Sequence, residues 1–234
     1  MKRSFIAAAA AALFALPPAA NATDFDVTIT NLTYNIHYTP FLVAAHPAGN
    51  NLFVTGQPAS ANLQAMAEGG DISGLVADVN GLGATVVENP AAGLLAPAQS
   101  VTFNMNTDGT SNDRLSIVSM LLPTNDAFAG LNAVEIPTEP GTYVFNVSAY
   151  DAGTEANDEL LTGGGAPGVP GMPVDPSGLN GTGGTGVAGA DNNPNVHIHR
   201  GSIGDTDATG GASDLDARVH RWLNPVVRVT ITVN

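Results

Sequence analysis

Apolar and polar positions alternate with period two at both ends of this chain and in its middle. Phe25, Val27 and Ile29 alternate with Asp24, Asp26, Thr28 and Thr30, and Val227, Val229, Ile231 and Val233 alternate with Arg228, Thr230 and Thr232. Such alternation is the pattern of a strand with one buried face, so both segments are expected in one sheet system, as possible neighbours. Val101, Phe103 and Met105 repeat the pattern, and Tyr143, Phe145, Val147 and Ala149 repeat it again. Residues 114–122 form a nearly continuous apolar run with β-branched members, which predicts a strand covered on both faces. Only residues 58–80 break the rhythm. Ser60 precedes a stretch in which Leu63, Met66 and Ala67 share a helical face, Gly69-Gly70 ends it, and Asp71 is placed to cap a second short helix carrying Leu75 and Val79. The predicted architecture is an all-β antiparallel sandwich with a short helical excursion whose apolar face packs on the sheets.

The loops carry the remaining signals. Asp108-Gly109, between two predicted strands, is first of all a hairpin signal, and the surrounding Asn and Asp residues lack the spacing of a helix-loop-helix calcium site. Residues 163–189 hold eleven glycines with Pro167, Pro170, Pro173 and Pro176 and little to bury. This composition predicts a flexible surface insert within one domain spanning 23–234. Residues 1–22 read as a secretory signal peptide: Lys2 and Arg3, an apolar run from Phe5 to Leu16, and a small-residue cleavage site after Ala22. The run is short for a membrane span and no later segment is longer, so the expected location is periplasmic or secreted, without a transmembrane segment.

Charge narrows the partners. Loss of Lys2 and Arg3 leaves 5 basic residues against 21 acidic ones, a formal charge of −16. A field of that sign repels phosphate backbones, so nucleic acid is excluded as a partner, while cations and basic protein surfaces are favoured. There is no cysteine, which removes disulfides, thiol nucleophiles and thiolate metal sites. No nucleophile elbow, His-Glu-x-x-His helix or phosphate-binding glycine loop is present. An unrecognised hydrolase built from a scattered triad is therefore the least supported class, and the chain is read as a non-enzymatic protein.

Two constellations could bind metal. After the predicted strand over 143–150, Asp151-Ala-Gly-Thr-Glu155 places two carboxylates four residues apart around Gly153, which lets the backbone turn sharply. A calcium ion takes about 6–8 oxygens and accepts such a flexible loop, though the same stretch also fits a solvated acidic turn. Downstream, His197 and His199 sit at i and i+2 of a short predicted strand and point to one face. With His46 or His220 nearby, they could hold copper or zinc; without one, they form a polar face with no ion.

Tyr150-Asp151-Ala152-Gly153-Thr154-Glu155 is similar to the YDAGTD stretch of the spondin N-terminal domain family, found at the start of F-spondin and mindin. Some 25 residues upstream, the segment from Leu122 to Gly130, LPTNDAFAG, resembles that family's PSPDWFVG, and residues 224–231 resemble its closing strand. The chain departs from the animal members in lacking cysteine and in carrying the glycine-rich insert. The resemblance implies a calcium ion held by Asp126, Asp151 and Glu155, and an adhesive domain facing a protein or matrix partner at the cell surface.

Overall fold

The computed structural model describes residues 23–178, 181–188 and 192–234; the signal peptide read from residues 1–22 lies outside them. Among the described residues, ten strands and two helices follow in chain order: β1 (Asp24–Asn31), β2 (His37–Tyr38), β3 (Leu42–His46), α1 (Ala61–Gly69), α2 (Ser73–Gly81), β4 (Thr85–Glu88), β5 (Ser100–Asn106), β6 (Arg114–Leu122), β7 (Ala127–Glu135), β8 (Gly141–Asp151), β9 (His197–Ile198) and β10 (Val227–Val233). The strands lie in the order β4-β3-β6-β7-β8-β10-β1-β5, with β2 added to β6 and β9 to β8, and every pairing between these strands is antiparallel.

The sheet folds over so that its two halves face each other. Val27 and Ile29 of β1, Val229 and Ile231 of β10 and Val147 of β8 share one core with Val43 of β3, Leu115 and Ile117 of β6 and Ala129 of β7. The alternating terminal segments are neighbours, with Val27 opposite Ile231 and Ile29 opposite Val229. β6 is buried from Leu115 to Leu122 because both of its faces are covered. Leu115, Ile117 and Leu121 point into the sandwich, while Val118, Met120 and Leu122 meet the helices in a second apolar cluster.

The helical excursion is built as its sequence suggests. The Ser60 hydroxyl accepts the Leu63 N–H at 3.1 Å, and Gly70 closes α1 in the left-handed region at φ 72°. Leu63, Met66 and Ala67 of α1 and Leu75 and Val79 of α2 pack on Leu42, Ala44, Val118 and Met120, outside the sandwich. Asp71 accepts the Ser73 N–H at 2.9 Å, at the entry to α2.

One local reading is corrected. Asp108-Gly109 does form a turn, with the Asp108 N–H on Asn106 Oδ1, but β5 and β6 are not a hairpin. β5 pairs with β1 and β6 pairs with β3 and β7, so this loop crosses from one half of the sandwich to the other.

The glycine-rich insert contains no helix or strand among its described residues, yet it is tied to the body. Met172 is fully buried, and the Gly168 and Gly171 N–H groups donate to Glu68 Oε2 at 2.6 Å and Glu155 Oε2 at 3.0 Å. Thr182, Gly183 and Gly184 all donate to Asp214 Oδ1. A backbone without ladder partners still needs acceptors, and buried or half-buried carboxylates supply them.

Candidate metal-binding pole

The ends of β1, β6 and β8 and the starts of β7 and β10 meet at one pole of the sandwich, because Asn31 pairs with Val227, Val227 with Val147, and Asp151 with Ala127. Two of the three carboxylates expected to bind calcium lie there side by side. Asp126 immediately precedes β7 and is fully buried; Asp151 ends β8 and is 2 % exposed. Asp126 Oδ2 accepts the N–H groups of Thr154 and Glu155 at 2.8 and 3.1 Å and the Thr154 hydroxyl at 3.2 Å. Its Oδ1 is buried and, among the described residues, has no hydrogen-bond partner. Burial, reinforced by the charge of Asp151, holds the Asp126 carboxyl well above the usual carboxylate range despite those donors.

Asp151 is held from both sides. Its Oδ1 accepts the Gly153 N–H at 2.8 Å and its Oδ2 accepts the Asn157 amide at 2.7 Å. Gly153 is required here: its φ is 72°, and a Cβ would lie 2.7 Å from the backbone of Pro194.

Glu155 turns away from this pair. Its backbone N–H serves Asp126, but its carboxylate accepts from Gly171 and Asn125 and faces a cavity shared with Asp158 and the insert. Burial first, with Glu68 and Asp158 adding like charge, pushes the Glu155 carboxyl up to about 7. Its Oε1 is a second buried oxygen without a hydrogen-bond partner among the described residues.

His197 and His199 do share a face, and it is the face of Asp151, because β9 pairs with the end of β8. Asp151 Oδ2 lies 3.7 Å from His197 Nε2 and 4.0 Å from His199 Nε2. Their hydrogen bonds distinguish the two rings. His199 Nδ1 accepts the Gly201 N–H at 3.0 Å, so the neutral ring carries its proton on Nε2, which meets Asn157 Oδ1 at 3.0 Å. His197 Nδ1 lies 2.8 Å from the Asn195 carbonyl, which makes it a donor, and its Nε2 is turned toward Asp151. Asn157, which links Asp151 to His199, is the residue that sequence reasoning missed; its position two residues beyond Glu155 gave no periodic signal.

His46 does not join them. It pairs with Arg114 at the start of β6, whereas Asp126 follows the end of that nine-residue strand, roughly 25 Å away at strand rise. Its ring is buried between Ser116 and Pro47. His220 lies instead with Asp175, 3.3 Å away, and with Ser177 at 3.5 Å. Its Nδ1 accepts the Asp216 N–H at 3.1 Å, and its Nε2 also lies 3.1 Å from the Asn35 amide nitrogen.

Among the described residues, no group of three or more His, Cys, Asp or Glu side chains is placed to hold a metal ion. Beyond the buried pair Asp126 and Asp151, with His197 Nε2 3.7 Å from Asp151 Oδ2, an ion at the pole would depend on backbone carbonyls and water for its remaining ligands. Calcium sites use such carbonyls and waters freely, and Asp126 Oδ1 is the atom that lacks a partner. Also among the described residues, no helix is long and apolar enough to cross a membrane.

Among curated proteins the sequence finds no significant match. The family model described as Spondin_N matches residues 24–160, from β1 through β8 to the loop carrying Asp151, Gly153 and Glu155. The match covers more than half of the chain, and the chain belongs to the spondin N-terminal domain family.

Proposed function

We propose that this chain is an exported, non-enzymatic domain that binds a calcium ion at Asp126 and Asp151, and that the ion stiffens the loops it presents to a protein or matrix partner at the cell surface. The observation that carries this reading is the orphaned, buried Oδ1 of Asp126 beside a second buried carboxylate. A lone buried charge without a partner is costly, and among the described residues no lysine or arginine pairs with either group; a divalent cation supplies both the counter-charge and the missing contact. The ion would take Asp126 Oδ1 and an Asp151 oxygen, with loop carbonyls and water completing the shell. Melting the purified protein with calcium and with chelator tests it. Binding to the folded state alone raises stability by about 2.7 kcal/mol at a hundred times the dissociation constant, so identical midpoints under the two conditions would refute the assignment.

The second reading, a copper or zinc protein of the periplasm, is favoured by the approach of His197 Nε2 to Asp151 Oδ2 at 3.7 Å. It differs in requiring His197 and in leaving Asp126 aside. Elemental analysis of protein purified without chelator separates the two.

A further inference from the structure

We infer that an uncharged groove on the outer face of β7 and β8, apart from the acidic pole, binds a neutral polyhydroxylated chain, an oligosaccharide. The groove encloses about 430 Å³ and is lined by Asn51, Phe53, Asn132, Asn146, Ser148 and Tyr150 among others. None of its lining residues is charged, in a protein with 21 acidic side chains.

Asn146, Ser148 and Tyr150 stand at i, i+2 and i+4 of β8, opposite in direction to the inward Val147 and Ala149. They form a polar row about 13 Å long at strand rise. Their side-chain amide and hydroxyls make no hydrogen bond to other described residues, so their donors and acceptors are available to a ligand. The opposite wall is fixed. Asn132 accepts the Leu52 N–H at 3.0 Å and donates to Asn51 Oδ1 at 3.0 Å and the Phe53 carbonyl at 2.7 Å, which clamps the 51–53 loop to β7. Using Oδ1 in this way leaves the Asn51 amide protons facing outward. At the closed end, Phe53 packs against Tyr150 and Phe128 with ring centroids 4.9 and 5.1 Å apart. Phe53 fits there only because position 130, paired with Ser148, is glycine; a Cβ would lie 2.6 Å from the ring.

This chemistry selects a ligand class. Sugar rings offer hydroxyls that both donate and accept, together with apolar C–H faces, and amides, hydroxyls and aromatic edges match both. A cation finds no carboxylate in the groove, and an anion is opposed by the protein's net charge, with Arg228, opposite Asn146, the one cation among the described residues paired with the row. A purely apolar ligand would leave the amides unpaired. An extended peptide adds to a sheet edge, whereas this groove lies on a sheet face.

The test is titration of the intact mature protein with maltohexaose, cellohexaose and chitohexaose, followed by amide NMR shifts, in calcium and in chelator. The expected result is saturable shifts confined to 51–55, 130–134 and 146–150 with at least one of the three sugars. The double variant Asn146→Ala/Ser148→Ala, with an unchanged melting midpoint, should bind roughly tenfold or more weakly, since two hydrogen bonds are lost. Silence of the groove toward all three sugars, shifts located elsewhere, equal binding of polygalacturonate, or undiminished affinity in a folded double variant would each overturn the proposal.

Discussion

His197 Nε2 faces Asp151 Oδ2 at 3.7 Å, so the carboxylate expected to bind calcium and the histidine expected to bind a transition metal share one pocket. The two readings therefore compete for the same oxygen. His197→Ala should leave calcium-dependent stabilisation intact and abolish any stoichiometric zinc or copper. Calcium titration followed by melting, together with metal analysis, checks this, and loss of the calcium response in His197→Ala would favour the transition metal.

The two carboxylates should respond differently to neutralisation. Asp126→Asn keeps an oxygen for Thr154 and Glu155 and removes a buried charge next to Asp151. It should raise the midpoint in chelator by a few degrees, given roughly 2–4 °C per kcal/mol in a domain of this size, and it should remove the calcium response. Asp151→Asn should also lose calcium, but it should destabilise the protein even in chelator by about 1–2 kcal/mol. Its new amide would meet the Asn157 amide, whose oxygen is committed to His199. Denaturant melts of both variants with and without calcium decide the matter.

Glu155 sets a pH dependence of definite sign. Its folded pKa of about 7 stands above the ordinary glutamate value of 4.5, so the folded state binds the proton more tightly than the unfolded chain. Its contribution is fully present below about pH 4.5 and is lost as pH rises toward 7. Asp205 and Asp214 oppose it at acid pH. Backbone N–H groups from Ser213, Asp207 and Ala212 depress Asp205; Asp214 is depressed because four N–H bonds outweigh its burial. In chelator, Glu155→Gln should reduce the fall between pH 4.5 and 7, leaving the part due to Asp126, whose carboxyl is also pushed up to about 7 by burial and by Asp151, and should leave the acid limb unchanged. Midpoints measured across that range give the answer.

The glycine-rich insert should matter for stability. Met172→Ala removes a fully buried side chain and should cost about 2–5 kcal/mol if the site cannot collapse. Deleting 165–188 should cost several degrees as well, because Glu68, Glu155 and Asp214 lose their backbone donors. An unchanged midpoint in either case would mean that the insert contributes nothing to the fold.

The strands were legible because their periodicity is local: Phe25 to Ile29 and Val227 to Val233 declare a buried face without reference to the rest of the chain. The helices were legible through Ser60 and Gly70, whose capping roles are fixed by their own chemistry. Partner choice was not. The Asp108-Gly109 turn looks the same whether its strands pair with each other or with strands elsewhere, since register depends on distant residues. The insert's attachments were not legible for a related reason, because composition counts apolar side chains and overlooks that carboxylates such as Asp214 can bind a bare backbone. At the pole, the neighbours in sequence, Asp151 and Glu155, part company, while Asp126 and His197, distant in sequence, converge on Asp151. Strand ladders create that convergence, and spacing along the chain does not encode it.

β10 is the last strand in sequence, yet it lies between β1, the first, and β8. The sheet's two halves are therefore joined by a strand that is made long after β1, and β1 has no neighbour on that side until it is. Such a chain cannot seal its interior piecemeal as it emerges. It stays open until β10 has been made, and it assembles slowly because its decisive contacts join distant parts of the chain.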